Sequence, residues 1–70
     1  MSEITSPMGG KVIDVKVKAG DQVSENDEVV ILEAMKMENA ILSPKDGVIK
    51  SVWSNKGDTV DKNKLLIELE

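Results

Sequence analysis

The two halves of this 70-residue chain carry related sequences, and this internal repeat restricts the possible folds more than any other feature. When residues 4–33 are aligned with residues 41–70, a shift of 37 positions, 11 of the 30 pairs are identical and no gap is needed. The identities include Ser6-Pro7 with Ser43-Pro44. Two equivalent halves of this kind predict a single domain, residues 1–70, with pseudo-two-fold symmetry.

Each half has the pattern of short strands separated by turns. Valines alternate with charged residues after Gly10, as expected of a strand with one buried face. The step from Val12 to Val15 breaks the period of two, and the step from Ile49 to Val52 repeats the break, so we predict a β-bulge at both places. Turns are predicted where Gly, Asn and Asp recur at matching positions, namely Gly20-Asp21, Asn26-Asp27, Gly57-Asp58 and Asn63-Lys64.

Short strands rich in β-branched residues, with no helical period of ten residues or more, predict an all-β sandwich or barrel. Apolar positions that match between the halves should form its core. These positions are Ile4, Val12, Val15, Val23, Val30, Leu32, Ile41, Ile49, Val52, Val60, Ile67 and Leu69. Trp53 aligns with Lys16 and is therefore expected to be partly exposed.

The composition narrows the range of functions. The chain has no Cys and no His, so disulfides, thiolate metal sites and the commonest general base are absent from the sequence. Its net charge of −4, with acidic and basic residues interspersed, does not favour nucleic-acid binding. The longest apolar run, Val29 to Leu32, is far too short for membrane insertion. The first residues lack the pattern of a signal peptide, so we expect a cytoplasmic protein.

One lysine stands between two methionines at the midpoint of the chain. The segment Glu33-Ala34-Met35-Lys36-Met37-Glu38-Asn39 separates two apolar stretches, so we predict a turn over residues 34–39 that joins the two halves. Most turn lysines are simply solvated. Met35 and Met37 argue against this simple interpretation, because turns usually contain Gly, Asn, Asp or Pro.

The stretch Glu-Ala-Met-Lys-Met-Glu resembles the attachment motif of biotin carboxyl carrier domains, and the resemblance extends over nearly the whole chain. It implies a flattened antiparallel β-barrel of two four-stranded sheets, with strands exchanged between the halves. Lys36, on a hairpin turn, would carry biotin through an amide bond. Met35 and Met37 would be recognised by the ligase, and Glu33 and Ala34 would position the turn. Equal spacing in the two halves leaves no room for an inserted thumb, so the resemblance is to the thumbless type.

The resemblance also implies a set of partners. A biotin protein ligase would attach biotin, and the biotin arm would carry a carboxyl group from a biotin carboxylase to a carboxyltransferase. The domain itself would be a non-catalytic, monomeric carrier. Within the family pattern, Gly9 in the loop Ser6–Gly10 replaces the small residue or proline that is often found there.

Three alternatives remain at this point. A lipoyl domain has the same fold, but it usually has Asp before the lysine and Ala after it. An association barrel, such as the adaptor segment of an efflux protein, lacks the Met-Lys-Met turn. Finally, Met35 or Met37 could point into the core, since one side of a hairpin must face the barrel.

Overall fold

The computed structural model describes residues 2–70, and these residues form eight strands. In chain order the strands are β1 (Ser2–Thr5), β2 (Gly10–Val15), β3 (Gln22–Val23), β4 (Glu28–Ala34), β5 (Met37–Leu42), β6 (Gly47–Val52), β7 (Thr59–Val60) and β8 (Leu65–Leu69). None of the described residues belongs to a helix long and apolar enough to cross a membrane.

The strands form two four-stranded antiparallel sheets, in the orders β1-β8-β6-β3 and β5-β4-β2-β7. We call them the terminal sheet and the hairpin sheet. Each sheet takes two strands from each half of the chain, and a shift of 37 residues converts one strand order into the other. The predicted all-β fold, with two sheets, exchanged strands and pseudo-two-fold symmetry, is therefore confirmed.

The turns between strands require a left-handed backbone at matching positions. Gly20 has a φ of 95° and Gly57 a φ of 96°, while Asn26 and Asn63 have φ values of 73° and 70°. Glycine tolerates this region because it has no Cβ, and asparagine is among the side chains that tolerate it best. The four turns predicted from Gly, Asn and Asp are thus confirmed, each with the residue type that its backbone requires.

The two predicted bulges are also present. The register of β2 against β4 shifts between Val12 and Asp14, and the register of β6 against β8 shifts between Ile49 and Ser51. A bulge adds one residue to one strand of a pair, so the side chains after it change face. This is why the apolar pattern of the sequence steps by three residues at these places.

A second pair of bulges was not predicted. The pairing of β4 with β5 skips Val29, and the pairing of β8 with β1 skips the equivalent residue, Leu66. Both side chains are fully buried, as is the next residue in each strand. Strict alternation with Val30 and Ile67 would send Val29 and Leu66 outward, and the predicted core did not include them.

The core lies between the two sheets and contains most of the predicted residues. Ten of the twelve are buried, whereas Val15 and Val52, which follow the first pair of bulges, are half-buried and pack against the core from its margin. The apolar residues that the prediction missed are Val29, Ala34 and Leu66. Trp53 is 56% exposed, in agreement with the prediction.

Candidate functional site

Lys36 occupies one of the tightest turns that can join two antiparallel strands. Strand β4 ends at Ala34 and β5 begins at Met37, so only Met35 and Lys36 form the loop, which is shorter than the predicted turn over 34–39. Their φ values are 54° and 63°, both positive, as in a type I′ hairpin turn. Asn-Gly is the preferred sequence for such a turn, and a left-handed backbone costs an ordinary residue about 1–2 kcal/mol.

The turn keeps this conformation because the strands on both sides hold it. Residues of β4 and β5 pair from Ala34 with Met37 down to Glu28 with Leu42. Ala34 is buried and fixes the last position of β4 on the core. The Asn39 side-chain amide donates a hydrogen bond to the carbonyl oxygen of Met37 at 3.3 Å. Pairing and burial below the turn therefore determine where Lys36 points.

Gly10 allows another strand to support the hairpin from the side. A Cβ atom at Gly10 would lie 2.4 Å from the carbonyl oxygen of Glu33 and 3.3 Å from the Cβ of Ala34, both immediately before the turn. The equivalent glycine, Gly47, has nothing within 4 Å of such an atom. The repeat marks both glycines in the sequence, but only the structure shows that Gly10 is required for a close approach.

The side chains at the turn form an exposed apolar and cationic tip. Met35 is 91% exposed and Met37 66% exposed, and Lys36 is exposed between them. The alternative in which either methionine enters the core is therefore excluded. Exposed methionines form a soft, adaptable surface that can adjust to a partner, and the lysine amine is accessible from solvent.

Acidic side chains lie directly below this tip. Glu33 and Glu38 face each other across β4 and β5, and both are exposed. On the other side of Glu33, Lys11 of β2 is its neighbour in register. Two like charges in opposite positions destabilise a sheet by a few tenths of a kcal/mol or more. This arrangement has a cost for folding, and it gives the hairpin a local negative charge.

The buried hydroxyl groups in the described part of the chain have structural roles. Residues 2–70 contain no pocket and no cluster of side chains that could hold a metal ion. The buried hydroxyl groups all donate to backbone carbonyl oxygens, Ser6 to Met8, Ser43 to Lys45 at 2.7 Å and Ser54 to Leu66 at 3.5 Å.

The hairpin and the C-terminus lie at opposite ends of β4. This strand starts next to the Asn26 turn, whose N–H donates to the carbonyl oxygen of Ser43 at 2.8 Å, and it ends at the hairpin. The C-terminal residue Glu70 donates to Val48, in the strand that follows the Ser43 loop. A segment attached to the C-terminus would therefore leave the lysine end accessible.

Comparison with known proteins gives a consistent result. A family model described as biotin-requiring enzyme matches residues 2–69. The chain is 49% identical, over 69 residues, to the mitochondrial propionyl-CoA carboxylase alpha chain of Homo sapiens, covering 99% of this chain and 10% of that protein. It is 51% identical, over 69 residues, to pyruvate carboxylase of Staphylococcus aureus, covering 99% of this chain and 6% of that protein. The chain thus spans a tenth or less of these relatives.

A solved structure of nearly the same length is also similar. It is the lipoyl domain of the 2-oxoglutarate dehydrogenase complex from Azotobacter vinelandii, with a TM-score of 0.84 and 30% sequence identity. The alignment covers 100% of this chain and 96% of that domain.

Proposed function

The chain belongs to the family of biotin-requiring enzymes as a biotin carboxyl carrier domain, and from this premise we propose that Lys36 is the residue that carries biotin. The observation that carries the proposal is the position of Lys36, exposed at the apex of a two-residue hairpin turn with an exposed methionine on each side. These residues fit a covalently held acyl group, because Lys36 is exposed to solvent and the turn fixes its position.

Attachment requires a partner enzyme. A lysine amine does not form an amide bond with a free carboxylic acid unless the acyl group is first activated. We propose that a biotin protein ligase supplies biotinyl-adenylate and a base. The base accepts the protons that the Lys36 Nζ loses as this nitrogen attacks the acyl carbon. The new amide bond forms as the acyl–phosphate bond breaks and AMP leaves. Met35 and Met37 contribute apolar contacts with the ligase, and Glu33 and Ala34 position the turn.

Once attached, biotin supplies a ureido nitrogen that accepts a carboxyl group at one enzyme site and releases it at another. The contribution of the domain is mechanical. It presents the modified lysine on a rigid hairpin, at the end of β4 remote from the C-terminus. We propose that the partners are a biotin carboxylase and a carboxyltransferase, that the domain itself is non-catalytic, and that it is monomeric in isolation.

A lipoyl domain is the second candidate, because a lipoyl domain of nearly equal length shares the fold at 30% identity. The residues at the turn favour biotin. Lipoyl domains usually place an acid before the lysine and a methyl group after it, whereas this chain has two large apolar side chains. Met35 and Met37 are exposed, so they are available to a ligase that discriminates between the two kinds of turn.

Intact mass measurement tests the proposal. The domain is incubated with biotin, ATP and a biotin protein ligase, and separately with lipoate, ATP and a lipoate ligase. We expect the mass to increase by one biotinyl group in the first reaction and to stay unchanged in the second. Lys36→Arg keeps the charge and should abolish the increase, although eight other lysines remain. Biotinylation of Lys36→Arg, or preferential lipoylation of the wild type, would contradict the proposal.

A further inference from the structure

The two sheets have equivalent outer faces, but these faces differ in chemistry. In the terminal sheet, Glu3 of β1 pairs with Glu68 of β8. The equivalent pair in the hairpin sheet is Ala40 of β5 with Ile31 of β4. The fold therefore tolerates polar, charged side chains at these positions. Solubility and the fold do not require apolar residues on the outside of the hairpin sheet.

The next pair toward the start of β4 has one apolar residue in each sheet, but on different strands. Leu42 of β5 pairs with Glu28 and is 44% exposed, whereas the equivalent pair in the terminal sheet is Thr5 with Leu65. Residues that face each other in an antiparallel pair project from the same face of the sheet. Ile31, Ala40 and Leu42 therefore form an apolar strip on the outside of the hairpin sheet, which we call the hairpin face.

Acidic side chains surround the hairpin face. Asp14 lies in register with Ile31 on one side, Glu33 and Glu38 lie between the strip and the lysine turn, and Glu28 lies beside Leu42. Two lysines offset part of this charge, because Lys11 is in register with Glu33 and the Lys16 Nζ lies 3.7 Å from the Asp14 Oδ2. A second copy of this chain docking on the same face would bring these acidic residues together. Charge complementarity instead favours a partner whose apolar contact surface is surrounded by Lys or Arg.

The position of the face identifies which partner must contact it. Two residues of a strand span about 7 Å, so the Ile31–Ala40 pair lies about 7 Å below Glu33–Glu38, which is separated from the turn by the Ala34–Met37 pair. A ligase must bring its active site to the lysine amine itself, and it therefore has to cover the protein surface around the hairpin. Enzymes that act on the distal end of the biotin arm need no such contact.

We propose that the hairpin face is a docking surface for the biotin protein ligase, with basic ligase side chains against the acidic border. This inference rests on the proposed function and extends the recognition site beyond the Met35–Met37 tip. The strip is small, which suits a partner that must release the domain after one reaction.

The test compares ligase kinetics of domain variants at matched positions in the two sheets. Ile31→Thr and Ile31→Glu both remove the apolar contact. Ile31→Glu introduces the same residue type that the equivalent position of the terminal sheet, Glu68, already has. The matched control is Glu68→Ile. We expect the KM of the domain for the ligase to rise about tenfold in Ile31→Glu, with less change in Ile31→Thr, and kcat to be unchanged. The KM of Glu68→Ile should change by less than about twofold.

Additional measurements separate the possible outcomes. Thermal unfolding identifies a variant that is simply unfolded, and Ile31→Thr keeps a β-branched side chain in the strand. The KM of the wild type should rise with ionic strength, because the acidic border attracts the ligase. Unchanged KM in both Ile31 variants, equal effects of Ile31→Glu and Glu68→Ile, or self-association of the wild type that Ile31→Glu abolishes would each overturn the proposal. Absence of modification in the wild type would instead refute the proposed function.

Discussion

Replacing Gly10 with alanine should weaken the lysine hairpin from a site outside the turn. The added Cβ would lie 2.4 Å from the Glu33 carbonyl oxygen and 3.1 Å from the Leu32 Cγ. Real Cβ atoms essentially never approach a backbone atom to under 3.0 Å, so β2 and the end of β4 would have to move apart. Overpacking of this kind costs about 1–3 kcal/mol. The strand end that moves is the one that positions Lys36.

Gly47→Ala is the matched control. Gly47 occupies the equivalent place in β6, an added Cβ meets nothing within 4 Å, and its φ lies outside the left-handed region. An alanine there restricts the unfolded chain and should stabilise the domain by about 0.4–1 kcal/mol. The two variants should therefore differ in free energy of unfolding by about 1.5–4 kcal/mol, although they make the same chemical change at symmetry-related positions.

Urea unfolding gives the free energies, and the rate of biotinylation gives the effect on the site. We expect Gly10→Ala to be destabilised and to be modified more slowly under conditions in which it remains folded, and Gly47→Ala to match or exceed the wild type in both. Equal stabilities for the two variants would refute the reasoning, since it would mean that the close approach at Gly10 is relieved at no cost. A slow rate in both variants would show that the effect is not specific to the hairpin.

Three further predictions concern the turns and the tip. Lys36→Ala should abolish biotin attachment but change the free energy of unfolding by less than about 0.5 kcal/mol, because the side chain is exposed. A large fall in the thermal midpoint of unfolding would instead show that Lys36 has a structural role. Gly20→Val and Gly57→Val should each destabilise the domain by more than about 1 kcal/mol, because a β-branched residue resists the φ values of 95° and 96° found there. Denaturant unfolding measures the loss, and a variant as stable as the wild type would contradict this explanation. The double variant Met35→Asp, Met37→Ala should be biotinylated more slowly, because each methionine buried by the ligase contributes roughly 1.5–3 kcal/mol to binding. Competition between a biotin ligase and a lipoate ligase, read by intact mass, tests this prediction, and an unchanged biotinylation rate would exclude the methionines as the discriminating feature.

The sequence by itself determined the symmetry, the turns and the candidate residue. A repeat with matching Gly and Asn positions imposes matching backbone conformations, because only these residues readily adopt positive φ. The three-residue step between Val12 and Val15 revealed a bulge, since a bulge changes which residues face the core. Lys36 was identifiable because the residues around it resemble a known attachment motif.

The tertiary structure decided what depends on contacts between distant segments. Val29 and Leu66 turn inward at bulges that exist only in pairing with β5 and β1, so no local pattern could reveal them. Met35 adopts positive φ against its own preference, because paired strands on both sides close the turn. Gly10 and Gly47 are identical in the repeat, yet only one lies against a neighbouring backbone. A sequence records which residue is present, but steric demand arises from the atoms that the fold brings next to it.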